Sequence, residues 1–187
     1  MRILIIFCLL LVGLPVHAKE IAGVMVQETI KTADGTTLIL NGAGIRTKFF
    51  FDIYIAELYM QHPSSSAEAV VADSGAKQIV MHFLYSEVSK EKLVDAWNEG
   101  FADNTGADEL TGLQGRIEQF NAFFVAVKKG DVITLAYAPN TGTTVTIAGV
   151  EKGVIEGKDF NDALLRIWLG KEPVTSSLKK ELLDYRQ

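Results

Sequence analysis

Apolar and polar positions alternate through the first part of the chain and then change period. Val24 to Ile30 and Thr36 to Leu40 alternate on either side of Asp34-Gly35, a turn pair, and predict a hairpin. Thr47 to Met60 reads as one long strand, ended by Pro63-Ser64-Ser65-Ser66, whose hydroxyls can cap a short helix reaching Ala72. Ala76 to Tyr85 is the next strand, centred on Ile79-Val80-Met81. The period then becomes helical. Leu93, Ala96, Trp97, Gly100 and Phe101 share one face of a helix that Ser89 can cap, and Asn104-Thr105-Gly106 stops it. Leu110, Leu113, Ile117, Phe120 and Phe124 mark a second helix, closed by Lys128-Lys129-Gly130. Strands return as Val132 to Tyr137 and Thr143 to Ile147 around Pro139-Asn140-Thr141-Gly142, with a short strand expected from Val150 to Glu156. Phe160, Ala163, Leu164, Ile167 and Trp168 mark one closing helix; Leu178, Leu182 and Tyr185 mark the last.

Strands and helices do not alternate one by one, so a parallel doubly wound sheet is disfavoured. The expected class is α+β, a large antiparallel sheet covered by helices. No linker or internal repeat divides the chain, so one domain is expected over residues 19–187.

The amino terminus changes where that domain is expected to work. Arg2 precedes an apolar run from Ile3 to Val12, and Val16-His17-Ala18 places small residues where a signal peptidase reads them. The run is too short to span a bilayer, which needs roughly 20 apolar residues. Residues 1–18 therefore read as a secretory signal peptide cleaved after Ala18, and the periplasm is the expected compartment. The single cysteine, Cys8, falls inside that segment, so no disulfide or cysteine-ligated metal is expected in the remainder. The formal net charge is −5, with no Lys/Arg cluster, which argues against nucleic acid as a partner. No second apolar stretch is long enough for a membrane span, and a monomer is expected.

Asn41-Gly42-Ala43-Gly44-Ile45-Arg46, followed by Phe49 to Met60, is the most distinctive stretch. It resembles the chalcone isomerase family in its bacterial, secreted chalcone isomerase-like branch, where a G-A-G-x-R turn leads into a long strand ending in a G-L-Y-like triplet. Here the triplet reads Glu57-Leu58-Tyr59. The similarity continues through Trp97-Asn98-Glu99-Gly100-Phe101 and through Trp168-Leu169-Gly170-Lys171-Glu172-Pro173-Val174, and so covers most of the chain. The fold it implies is an open-faced β-sandwich with a cleft between sheet and helices.

Glycines 42 and 44 suit a sharp turn. They are not a nucleotide fingerprint, because the third glycine is missing and the following segment reads as strand. Arg46 has two readings on the residues alone: a structural arginine paired with an acid such as Asp52, or a cation that forks onto a ligand carboxylate. The resemblance implies the second, since the family arginine faces the cleft and holds a ligand oxygen, which in the related plant fatty-acid-binding proteins is a carboxylate. Tyr54 shares strand parity with Arg46 if no bulge intervenes, and falls where chalcone isomerases carry a threonine. Tyr59 has the opposite parity and is expected in the core. Tyr85 matches the family's water-organising tyrosine by its interval to Trp97. Lys92 lands where the family has asparagine, with Asn98 out of register, and Thr175 is a guess for the late serine or threonine contact.

Other chemistry finds little support. His62 and His82 have no metal-ligand spacing, and His82 reads as a hydrogen-bonded core or edge histidine. Ser64-Ser65-Ser66 lacks a hydrolase elbow. Phe49-Phe50-Phe51 suits either a buried sheet or the wall of an acyl pocket. The expected function is thus a periplasmic, non-catalytic binder of a small amphipathic or acidic ligand such as a fatty acid, contacted by Arg46, Tyr54, Tyr85 and Phe50, with no metal and no cofactor. Two alternatives stand beside it. One is a chalcone-to-flavanone type intramolecular lyase using Arg46 and Tyr85. The other is an envelope protein that binds a partner and has no small-molecule site.

Overall fold

A computed structural model describes residues 18–186. The signal-peptide reading falls outside the described residues except at Ala18. Strands β1 (Ala18–Ile21) and β2 (Val24–Gln27) form a small hairpin. The main sheet has seven strands: β3 (Thr29–Lys31), β4 (Thr37–Lys48), β5 (Phe51–Met60), β6 (Lys77–Phe83), β9 (Val132–Ala138), β10 (Gly142–Ile147) and β11 (Val150–Ile155). Their order is β11-β10-β9-β6-β5-β4-β3, with every neighbouring pair antiparallel. A two-stranded ribbon, β7 (Glu87–Val88) with β8 (Val127–Lys128), flanks it. Five helices complete the described residues: α1 (Ala67–Ala72), α2 (Lys90–Asn104), α3 (Ala107–Ala122), α4 (Lys158–Leu169) and α5 (Ser176–Leu182).

The alternation on β5 sorts its residues between two faces, as the pleat requires. Tyr54, Ala56, Leu58 and Met60 join the main core with Ile79, Met81 and Phe83 of β6 and Ile133 and Leu135 of β9. Leu93, Trp97 and Phe101 of α2 and Phe120 of α3 close over them. Helix α4 buries a broad apolar face, Phe160, Ala163, Leu164, Leu165, Ile167, Trp168 and Leu169, against the sheet and the other helices, while Lys158, Asp159, Asp162 and Arg166 take its polar side. Tyr59 points to the other face and is buried there with Leu38, Ala76 and Val80. The predicted α+β class and the helical and strand periods are therefore the observed ones. Two helices are shorter than their patterns: α3 ends at Ala122, before Lys128-Lys129-Gly130, whose Lys128 belongs to β8, and α5 ends before Tyr185.

Two local expectations are corrected. The segment from Thr47 to Met60 is not one strand. It breaks at Phe49-Phe50, where Lys48 pairs with Phe51 in a two-residue hairpin turn. No glycine, asparagine or proline marks that turn, so the run of aromatics reads as continuous strand. Nor do Gly42 and Gly44 make a turn: both sit inside β4. A Cβ on Gly42 would stand 2.7 Å from the Leu182 carbonyl oxygen, and one on Gly44 would stand 2.7 Å from Glu181 Cβ. The glycines are there because α5 lies directly on the strand. Asn41 completes that contact. It is the extra residue of a bulge against β5, and its amide donates to the Leu182 carbonyl at 2.8 Å while accepting from Ser64 N at 2.7 Å.

Candidate functional site

The hairpin β4–β5 and helix α2 enclose a cavity of about 470 Å³. Arg46 and Lys48 enter from β4, Phe51 and Ile53 from β5, Tyr85 from the β6–β7 connection, Val88 from β7, and Lys92, Asp95, Ala96 and Glu99 from α2. A second bulge shapes this end. Arg46 pairs with Tyr54 and Thr47 with Asp52, which leaves Ile53 without an opposite residue on β4. The Ile53 carbonyl instead accepts from Leu84 N at 2.9 Å and from Tyr85 N at 3.2 Å. That fork draws the chain after β6 toward β5 and sets the Tyr85 ring edge-on to Phe51, 5.6 Å between centres.

Helix α2 has two useful faces. Ser89 caps it by accepting from Lys92 N. Leu93, Trp97, Gly100 and Phe101 face the core, and Gly100 is small because a Cβ there would meet Ile167 of α4 at 2.8 Å. The next stripe, Lys92, Asp95, Ala96 and Glu99, lines the cavity. The spacing of that stripe is visible in the sequence, yet a polar stripe on an amphipathic helix reads as solvated surface until a second element faces it.

Arg46 is half-buried where this cavity meets a smaller one of about 220 Å³ bounded by Glu172, Pro173 and Val174. Among the described residues it makes no hydrogen bond or ion pair, and its buried Nε has no partner. The pairing with Asp52 does not exist; Asp52 accepts from the Thr47 hydroxyl at 2.9 Å. The Arg46 guanidinium carbon lies 5.6 Å from the centre of the Tyr54 ring.

The structure brings Arg46 and Tyr85 to one cavity, and separates the other two residues expected there. Tyr54 shares a face with Arg46 as its cross-strand partner on β5, but it is only 3% exposed. Its hydroxyl accepts from Trp168 Nε1 at 3.0 Å, and beside it is a void of about 20 Å³, room for about one water. Burial raises the Tyr54 phenol above its usual pKa, against the opposing pull of Arg46 and of the Trp168 hydrogen bond. Phe50, expected to face a ligand tail, stands at the tip of the hairpin and is 96% exposed; Phe51 and Ile53 take the place assigned to it. Thr175 caps α5 by accepting from Leu178 N, and Asn98 accepts from Asn121 Nδ2, so neither reaches the Arg46 cavity.

Elsewhere, a broader groove of about 680 Å³ runs between α1, α4 and the α2–α3 turn. Two of its three cations have partners, and Lys171 has none among the described residues. Arg166 pairs with Glu109 at 2.5 Å, and Lys179 donates to the Gly170 carbonyl at 2.7 Å. On the far face of the sheet, Tyr59 donates toward Glu57 at 2.8 Å or the Gln27 carbonyl at 3.0 Å, and His82 Nε2 lies 3.1 Å from the other Glu57 oxygen. Burial and the Glu57 charge hold the Tyr59 phenol far above its ordinary range. No group of three or more metal-ligating side chains is found among the described residues.

The family model for chalcone isomerase-like proteins matches residues 18–184. The chain belongs to the chalcone isomerase-like family. No curated protein sequence matches it. Among solved structures it resembles a fatty-acid binding protein of Arabidopsis thaliana, with a TM-score of 0.64 and 15% identity over 84% of this chain and 96% of that one. At that identity the likeness establishes the fold: a curled antiparallel sheet under a layer of helices.

Proposed function

We propose that this chalcone isomerase-like protein is a non-catalytic binder of a small amphipathic acid, a fatty acid being the simplest case. One observation carries the reading: a guanidinium with no hydrogen-bonded or ion-paired partner among the described residues stands at the inner end of a cavity lined by Phe51, Ile53, Val88 and Ala96 together with the charged Glu87, Lys92, Asp95 and Glu99. An arginine left half-buried and unpaired is costly unless an anion completes it, and a carboxylate matches its donor fork. Phe51, Ile53, Val88 and Ala96 would take the apolar tail, and Tyr85 offers a hydroxyl near the head. The volume falls within the few hundred Å³ usual for small-ligand sites. The fatty-acid-binding character of the Arabidopsis protein of the same fold is consistent with it. A binder is favoured over an isomerase because Tyr54, at the position that would polarise a substrate ketone, is walled off behind Arg46.

Titration with laurate followed by native mass spectrometry tests the reading. One molecule per chain is expected, with Arg46→Ala weakening binding about tenfold or more, the effect of losing a charged hydrogen-bonded partner. No retained laurate, or no effect of the substitution, would retire it. Mixing the protein with a chalcone should give ring closure no faster than buffer. The periplasmic address rests on the Arg2 to Ala18 pattern, and a mature chain beginning at Lys19 in an envelope fraction would support it. Elution as a single chain would support a monomer.

A further inference from the structure

The β4–β5 turn presents Phe49 at 85%, Phe50 at 96% and Phe51 at 56% exposure, beside exposed Lys48. Three consecutive exposed phenyl rings at the turn of a sheet hairpin are unlike the scattered apolar residues of an ordinary surface. The backbone makes their presence harder to explain as chance. Phe49 has φ 57°, a region where Gly or Asn is at ease and a bulky side chain is strained. The sequence thus places an aromatic ring where turn chemistry asks for its absence.

We propose that the Phe49-Phe50 turn is a membrane-docking tip that seats the mouth of the Arg46 cavity on a phospholipid bilayer. Three features select a bilayer as the occupant. First, the rings project from a two-residue turn, and at about 200 Å² each they fall short of the roughly 800 Å² per partner that a stable protein pair buries. A lipid surface needs no matching shape. Second, Lys48 adjoins the rings, so its ammonium would lie at the phosphate level when they enter the acyl boundary. Third, the tip is continuous with the cavity: Lys48, Phe49 and Phe51 belong to both. An acyl chain leaving the bilayer would pass along these rings toward Arg46 without crossing bulk water. Acidic Glu87, Asp95 and Glu99 balance the nearby cations, so the attachment is apolar and weakly dependent on salt.

Docking stands on the exposed rings; only its use in ligand exchange rests on the fatty-acid reading above. The test uses vesicles of phosphatidylethanolamine and phosphatidylglycerol. The protein should sediment with them at low and at high salt, and Phe50→Ser should lower the partition coefficient about tenfold, the scale of losing one buried phenyl group. A sedimentation assay alone would also register the apolar amino-terminal segment if it is retained. Phe50→Trp therefore supplies a local probe, since Trp97 and Trp168 are both buried. Its emission should shift to the blue on vesicles and be quenched by brominated acyl chains. Equal binding by Phe50→Ser, or an indole at position 50 that brominated lipid does not quench, would overturn the proposal. So would a concentration-dependent dimer that Phe50→Ser abolishes without any vesicle binding, which would assign the tip to a second copy. The two readings fail separately: vesicle binding that survives in a protein unable to hold laurate keeps the docking tip and removes its role in exchange.

Discussion

Arg46 and Tyr54 face each other across the β4–β5 pair, with the guanidinium carbon 5.6 Å from the phenol ring centre and the phenol oxygen held by Trp168 at 3.0 Å. The ring acts as a floor under the cation, and the tryptophan fixes the floor. Tyr54→Phe keeps the ring and removes the oxygen, leaving the buried Trp168 N–H without an acceptor. A stability loss of about 1–3 kcal/mol is expected in denaturant unfolding. Laurate affinity read on the same variant separates two roles: a fall in affinity at unchanged stability would put the hydroxyl on the ligand and contradict its placement behind Arg46.

Arg46→Lys keeps a positive charge but gives up the planar fork and part of the stacking on Tyr54. Binding of laurate should weaken by about threefold, between the native protein and Arg46→Ala, when followed by calorimetric titration. Equal affinity for the lysine and arginine forms would mean that charge alone suffices and that the geometry over Tyr54 is incidental.

Most of the secondary structure was legible because its periods are clean: β9 and β10 alternate, and α2 and α4 repeat at helical spacing. What was not legible has a common cause in partners distant along the chain. Gly42 looks like a turn residue until α5, some 140 positions later, is seen lying on it. The break at Phe49-Phe50 is invisible because its residues are strand formers, one of them strained. Of the site, Arg46 and Tyr85 were found through the family pattern. Ile53 was missed because its role comes from a bulge; Lys92 was reached only as the position where the family has asparagine, and Asp95 and Glu99 lie on a polar helix stripe that nothing in the sequence sets against a second element.

The glycines give an ordered pair of predictions. In Gly42→Ala the new methyl group runs into backbone of α5, which must move as a unit; a loss of about 2–3 kcal/mol is expected, in the range of overpacked cores. In Gly44→Ala it meets the Glu181 side chain, whose carboxylate can swing away but whose Cβ, 2.7 Å off, moves only with the helix, so a smaller loss of about 1–2 kcal/mol is expected. Thermal or denaturant unfolding of both variants checks the order. The reverse order would show that α5 does not press on β4 at position 42.

Phe49→Asn should raise stability by about 1 kcal/mol, because asparagine tolerates the left-handed backbone that phenylalanine occupies under strain. The same variant should bind vesicles less well. A gain in one property with a loss in the other would identify the turn as a place where stability is traded for a surface ring. A variant less stable than the native chain would show that the ring contributes packing the exposed tip does not reveal.

Lys77 ties α1 to the sheet. Its side chain is 1% exposed, its ammonium donates to the Val70 carbonyl at 3.3 Å and to the Asp73 carbonyl, and it lies 5.6 Å from the centre of the Tyr137 ring. Burial lowers its pKa from 10.5 to about 8, with Asp73 pulling the other way. Below about pH 8 the amine is charged in both folded and unfolded chains, so the whole cost of burying the charge is present. Between about 8 and 10.5 the unfolded chain holds the proton that the folded one has lost, so stability from this group rises with pH across that window and is complete above it. The span is on the order of 3 kcal/mol. Tyr54 and Tyr59 act with the opposite sign at the top of the range, since their raised pKa values favour the protonated folded state, and stability from them falls as pH climbs past 10. Lys77→Met removes the first contribution and leaves the second. The difference in unfolding free energy, native minus variant, should therefore climb between pH 8 and 10.5; a flat difference would mean that the ammonium is better solvated than its burial implies.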